Sequence, residues 1–167
     1  MDSWRGLVID VRFNTGGDDA LGLQVAGRLT DTPYTAYAKQ ARNDPADPTR
    51  HGPLRTVTVT PADGLRYTGP VRLLISDLTV SAGDTFTEAL LARTPAPSRV
   101  GTNTQGVFAD DMQRTLPNGW TFGLGNEDYF GPDGHNYEGE GIPPTIRVPV
   151  FTDDQLAEHQ DVALDTP

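Results

Sequence analysis

The chain has 167 residues, no cysteine and a formal net charge of −10. That length makes one domain or a large piece of one, and the acidic balance argues against nucleic acid and anionic membrane surfaces, which need clustered Lys and Arg. Without cysteine there are no disulfides, thiol nucleophiles or thiolate metal sites, and lysine chemistry has one candidate, Lys39, against twelve arginines.

Residues 6–12 carry a continuous apolar run, Gly6-Leu7-Val8-Ile9, into Asp10-Val11-Arg12. This is the pattern of a strand buried on both faces. A central strand so near the first residue leads us to expect a fragment of a longer protein, lacking its N-terminal elements. No apolar run approaches the roughly 18 residues of a membrane span, and no signal peptide is visible.

Asn14-Thr15-Gly16-Gly17 reads as a tight turn, since paired glycines admit positive φ. Asp18 and Asp19 then load the first turn of a helix, and Leu21, Val25 and Leu29 give it one apolar face. Residues 34–41 form a candidate strand, and 43–53, rich in Pro, Asp and Arg, a surface excursion. Residues 56–60 alternate as a half-buried strand, and 71–76 form a second buried one. The stretch Leu78-Thr79-Val80-Ser81-Ala82-Gly83-Asp84 reads as a strand end, a sharp turn and a helix running to about Arg93. Short strands follow at 99–102, 112–116, 120–124 and 146–150, with a turn at Gly131-Pro132-Asp133-Gly134. A polar helix over 153–164 leads into the tail that ends at 167. Strand–turn–helix units in series imply an α/β layered domain.

Ser81 has two readings on local grounds. Ser at the N-cap with Asp84 three positions on approximates a capping box. A serine at a helix mouth also has free N–H groups beside it that can hold an oxyanion, and Ala82 is small enough to admit a carbonyl. The Gly-x-Ser-x-Gly elbow is absent, because Thr79 stands where its first glycine belongs.

Five blocks read together favour the second reading. Asp10-Val11-Arg12-Phe13-Asn14-Thr15-Gly16-Gly17 resembles the Asp-x-Arg-x-Asn-x-Gly-Gly signature of the C-terminal-processing, or tail-specific, serine peptidases. The stretch around Ser81 resembles their Thr-x-Ser-Ala-x-Glu motif, with Asp84 for the Glu. Gly101-Thr102-Asn103-Thr104-Gln105-Gly106 is similar to their Gly-x-x-Thr-x-Gly loop, and Gly131-Pro132-Asp133-Gly134 to their Pro-Asp-Gly block. Gly141-Ile142-Pro143-Pro144 is similar to a Gly-Ile-x-Pro-Asp block, with Thr145 for the final Asp. The resemblance implies the Clp protease/crotonase-like fold of stacked β-β-α units over residues 1–167. It implies Ser81 as nucleophile, an oxyanion hole built from Gly16, Gly17 and Ala82, peptide or unfolded protein as substrate, no cofactor, and a secreted or cell-envelope location for the full-length protein.

The chain departs from the Ser–Lys form of the family. The lysine that follows the Gly-x-x-Thr-x-Gly loop is Val107 here, and Lys39 lies in another segment. The tricorn-like branch instead pairs Ser with an upstream His and a Glu near the end of the domain. Glu127 falls where that Glu belongs, although a solvated acid at a strand edge fits it equally. His51, His135 and His159 fit no motif, so the base is expected upstream of Met1. Arg12 and Asp10 are expected to hold the 14–17 loop by pairing. The acidic stretches at 109–111 and 133–140 lack the spacing of a cation site. Two other readings stand beside the peptidase: a non-catalytic module of the same fold binding apolar ligands or peptides, and an inactive truncated fragment with only part of a site. This chain alone is also expected to self-associate through the exposed edge or apolar face of its first strand.

Overall fold

The stretch 71–75, apolar but for Arg72, becomes the best-buried strand among the described residues. The computed structural model describes residues 4–166. In it β1 (Leu7–Asp10) pairs in parallel with β4 (Val71–Ile75), β4 with β5 (Ser98–Gly101), and β5 with β9 (Ile146–Arg147). Leu73 and Ile75 of β4 face the main core, and Leu74 faces a second, smaller one. A strand covered on both sides carries apolar residues on both faces for this reason, here at every position but Arg72. β1 differs from its expectation. Its residues alternate between half-buried and exposed, and it is the edge of this sheet among the described residues.

Parallel neighbours need crossovers. The first, from β1 to β4, contains α1 (Asp19–Gly27), β2 (Tyr34–Ala41) and β3 (Arg55–Val59). The second is α2 (Ala82–Ala89), which starts directly after Ser81 and packs against α1. α2 stops short of Arg93, which turns inward to donate to the carbonyls of Leu29, Pro95 and Gly69.

An antiparallel sheet lies beyond α2, in the order β3-β2-β8, with β8 at Glu127–Phe130. Its Tyr37, Val59 and Tyr129 join Phe86 and Leu90 in the main core. β8 is a strand that local composition does not announce, since Glu and Asp are poor strand formers. Its pairing with β2 and the complete burial of Tyr129 make it one. A separate hairpin, β6 (Asp111–Thr115) with β7 (Thr121–Gly125), pairs with neither sheet.

Two expectations reverse. The face of α1 expected to be buried is turned outward at Leu21 and Val25, and only Leu29 is buried. The helix packs instead through its small residues: a Cβ on Gly22 would lie 3.3 Å from Phe86, and one on Gly27 would run into the Thr60 carbonyl. Apolar spacing found the helix, but backbone approach chose the buried side. The polar helix expected over 153–164 is two helices, α3 (Asp153–Ala157) and α4 (Val162–Asp165). His159 at φ 53° breaks the run, and Asp161 caps α4 by accepting from Leu164 N–H. Ala163, Val148 and Val150 then cover Leu74 and Val100 on the far side of the parallel sheet.

Candidate active site

The corner between β4 and α2 is fastened to the exit of β1. Ser76 Oγ donates to Arg12 O at 2.6 Å, Thr79 Oγ donates to Val11 O at 2.9 Å, and Val80 N–H donates to Asn14 O at 2.8 Å. Ser81 follows with φ 55° and ψ −114°. A non-glycine residue there is strained by about 1–3 kcal/mol and persists only where its surroundings hold it. Here the holding groups are Val107 O and Asp84 Oδ2, which both accept the Ser81 N–H, at 3.0 and 2.9 Å. One half of the capping box is therefore well made. The reciprocal half, Ser81 Oγ toward the Asp84 N–H, has the arrangement of a box but not the geometry of a cap hydrogen bond.

Asp84 is completely buried and also accepts the N–H groups of Gly106 and Val107, at 3.1 and 3.2 Å. Burial pushes its carboxyl above the ordinary range, and hydrogen bonds, these among them, pull the other way. One side chain thus ties the 101–106 loop to the serine corner. The loop is held from behind by Thr104, whose hydroxyl accepts Ile142 N–H at 2.8 Å. Gly141 sits at φ 71° against the Thr104 carbonyl, where a Cβ would collide.

The glycine pair lies against the same corner. Gly16, at φ 108°, is so close that a Cβ there would be 2.9 Å from Ser81 Cβ. Its N–H donates to Asn14 Oδ1 at 3.0 Å. Gly17 faces open space. Its N–H and that of Ala82 have no hydrogen-bond partner among the described residues. Of the three amides expected in an oxyanion hole, two are free and one is engaged. Beside them opens a cavity of about 320 Å³, walled by Ile9, Val11, Leu21, Val25 and Phe86.

Arg12 and Asp10 pair as expected, with Arg12 Nη2 2.6 Å from Asp10. Arg12 also binds Asp161 of the last helix cap through both Nη atoms, at 2.6 and 2.7 Å, and stacks on Phe151.

Glu127 does not hydrogen-bond to Ser81. Its carboxylate accepts from Lys39 Nζ at 3.1 Å and from Tyr129 OH at 3.2 Å. Lys39 also donates to Tyr129 OH at 2.8 Å and has Asp110 at 3.9 Å. Sequence distance kept Lys39 and Glu127 apart, whereas the β2–β8 pairing joins them. His51 pairs with Asp128 at 2.8 Å and His135 with Glu140 at 3.3 Å. None of the three histidines hydrogen-bonds to Ser81. Glu138, not distinguishable by sequence within its acidic turn, accepts Phe108 N–H at 3.0 Å, one residue from the carbonyl that holds Ser81.

A parallel sheet, a helix springing from a strained serine and free amides beside it define an α/β domain of the Clp protease/crotonase-like class. The chain belongs to peptidase family S41, whose model matches residues 1–148. Among solved structures it is similar to a proposed peptidase from Parabacteroides merdae, with 22% identity and a TM-score of 0.88 over 98% of this chain and 51% of that one. It is also similar to mature CPAF complexed with lactacystin, with 16% identity and a TM-score of 0.78 over 92% of this chain and 41% of that one. A third likeness is the photosystem II D1 C-terminal processing protease, with 21% identity and a TM-score of 0.66 over 89% of this chain and 36% of that one. These likenesses show the fold. The chain spans about half the length of the first structure and less of the other two. No curated protein matches it.

Proposed function

We propose that residues 1–167 are the catalytic core of a serine peptidase of the tricorn-like branch, acting on unstructured or C-terminal peptide segments through an acyl-enzyme on Ser81. The observation that carries this reading is the strained backbone of Ser81, held by Asp84 and Val107 beside two unpartnered N–H groups. Strain of this kind clusters at functional sites because it presents a side chain that a relaxed turn would turn away.

In this reading Ser81 Oγ attacks the peptide carbonyl and its proton passes to a base. The oxyanion accepts from Ala82 N–H and Gly17 N–H, while Gly16 walls the site and Asn14 fixes its amide. The C–N bond breaks as the proton reaches the leaving amine, and water then releases the acyl group. The apolar cavity holds a substrate side chain next to the scissile bond. We place the base outside residues 4–166, because Lys39 is engaged by Glu127 and Tyr129. Glu127 acts on the site through Lys39 and Asp110, which closes the 106–110 loop against β2.

A fluorophosphonate probe tests the assignment. It should label the full-length protein, and Ser81→Ala should abolish labelling with the thermal midpoint within a few degrees. If Ser81 is only a cap, the probe should label nothing and the replacement should cost about 1 kcal/mol. The same cavity also suits an apolar ligand without chemistry, and an unlabelled protein that still binds apolar peptides would establish that reading.

A further inference from the structure

The hairpin β6–β7 is two-faced. Cross-strand pairs put Met112 opposite Leu124 and Arg114 opposite Phe122. Strand alternation and the 2.7 Å bond from Leu116 N–H to Trp120 O extend the row to Leu116 and Trp120. Arg114 reaches Met112 Sδ along the same side. The other face carries Asp111, Gln113, Thr115, Thr121, Gly123 and Gly125. The apolar face is open: Trp120 is 73% exposed and Leu124 61%. Neither strand pairs with another sheet among the described residues. A lone two-stranded hairpin is marginal in water, so this one needs cover.

We propose that the cover is the same hairpin of a second copy, packed face to face about a twofold axis. The row leaves on the order of 500 Å² of apolar surface in solvent, the size of the largest patch on a typical monomer, which is often functional. Two copies would bury about 1,000 Å², the low end for a specific interface, which suits a weak, reversible dimer. The row is self-complementary. With the hairpins parallel and their tips together, Leu116 covers the Trp120 of the second copy, Met112 covers its Leu124, and Arg114 lies over its Phe122 as a cation on a ring. The face holds one cation and no anion, so no carboxylates oppose each other across the seam, and the net charge of −10 disfavours an anionic lipid surface.

The test uses the full-length protein and light scattering at roughly 100 μM, well above a micromolar Kd. The expected result is a dimer that becomes monomeric when Trp120→Ser and Phe122→Ser are combined. A second variant leaves the apolar row intact. Arg114→Cys, in the otherwise cysteine-free chain described here, should cross-link between copies with a short bismaleimide, and Gln113→Cys on the opposite face should not. A monomeric wild type, or a dimer that survives the double replacement without cross-linking through position 114, overturns the proposal. So does a monomer whose tryptophan emission shifts to the blue with reduced, carboxymethylated polypeptide or with anionic vesicles, which would assign the face to that partner instead.

Discussion

Glu88 should make this protein less stable as pH rises. It lies on α2, fully buried, with neither carboxylate oxygen hydrogen-bonded among the described residues. Burial pushes its carboxyl from 4.5 to about 8, and Asp133, Asp84 and Asp19 add repulsion. Tyr37 of β2 and Tyr137 of the loop after β8 also face it, and neither supplies a cation. The folded protein therefore keeps a proton that the unfolded chain releases. The stabilising contribution is complete below about 4.5 and is lost progressively as pH rises toward about 8. At pH 7 the loss is on the order of 3 kcal/mol, at about 1.4 kcal/mol per unit. Glu88→Gln keeps the shape and removes the ionisation. Urea unfolding followed by circular dichroism from pH 5 to 8.5 should give similar midpoints for both proteins at the acid end and a more stable variant at the alkaline end. Other carboxylates titrate in both proteins and cancel in the difference. A difference that does not change with pH would mean that Glu88 does not titrate in this range and would refute the argument.

Asp84→Ala strands the N–H groups of Gly106 and Val107 and leaves Ser81 N–H on Val107 O alone, so it should cost on the order of 2 kcal/mol in urea unfolding; it should also cut fluorophosphonate labelling, and a loss of labelling no greater than the loss of fold would remove Asp84 as the anchor of the corner. Gly16→Val drives a Cβ into Ser81 at a positive φ and displaces the adjoining Gly17 N–H, so the labelling rate should fall by about 10²-fold, the scale of a lost oxyanion donor. Unchanged labelling would take the glycine loop out of the site. Glu127→Gln loosens Lys39 and with it the 106–110 loop, so peptide cleavage should fall about tenfold, near 1.4 kcal/mol, with Ser81 still labelled. Cleavage at the wild-type rate would return Glu127 to an ordinary surface acid.

The serine corner was legible because its motifs are backbone instructions. Paired glycines and a Ser-Ala-Gly-Asp start dictate local geometry, and α2 begins where they say. Arg12 with Asp10 was legible for the same reason, being two residues apart. What could not be read were partners chosen by tertiary approach. Asp84 looked like a helix cap, and only the fold brings the amides of Gly106 and Val107 to it. Lys39 and Glu127 lie 88 residues apart and meet through a strand whose sequence has poor strand propensity. Leu21 and Val25 misled because apolar period marks a helix without saying which side other groups will occupy. Here the glycines of α1 let it approach Phe86 and Thr60 by the other side.

The bond from Arg12 to Asp161 joins positions 149 residues apart. The loop at 14–17 is synthesised well before Asp161, the group that completes the support of its Arg12 anchor. During translation the glycine loop thus waits, half-anchored, until α4 has been made and Ala163 has closed over Leu74 and Val100. Under the proposed peptidase reading, a growing chain holds Ser81 without a finished site, and the order of synthesis itself delays the assembly of a serine that would otherwise meet unfolded polypeptide, its own included, at close quarters.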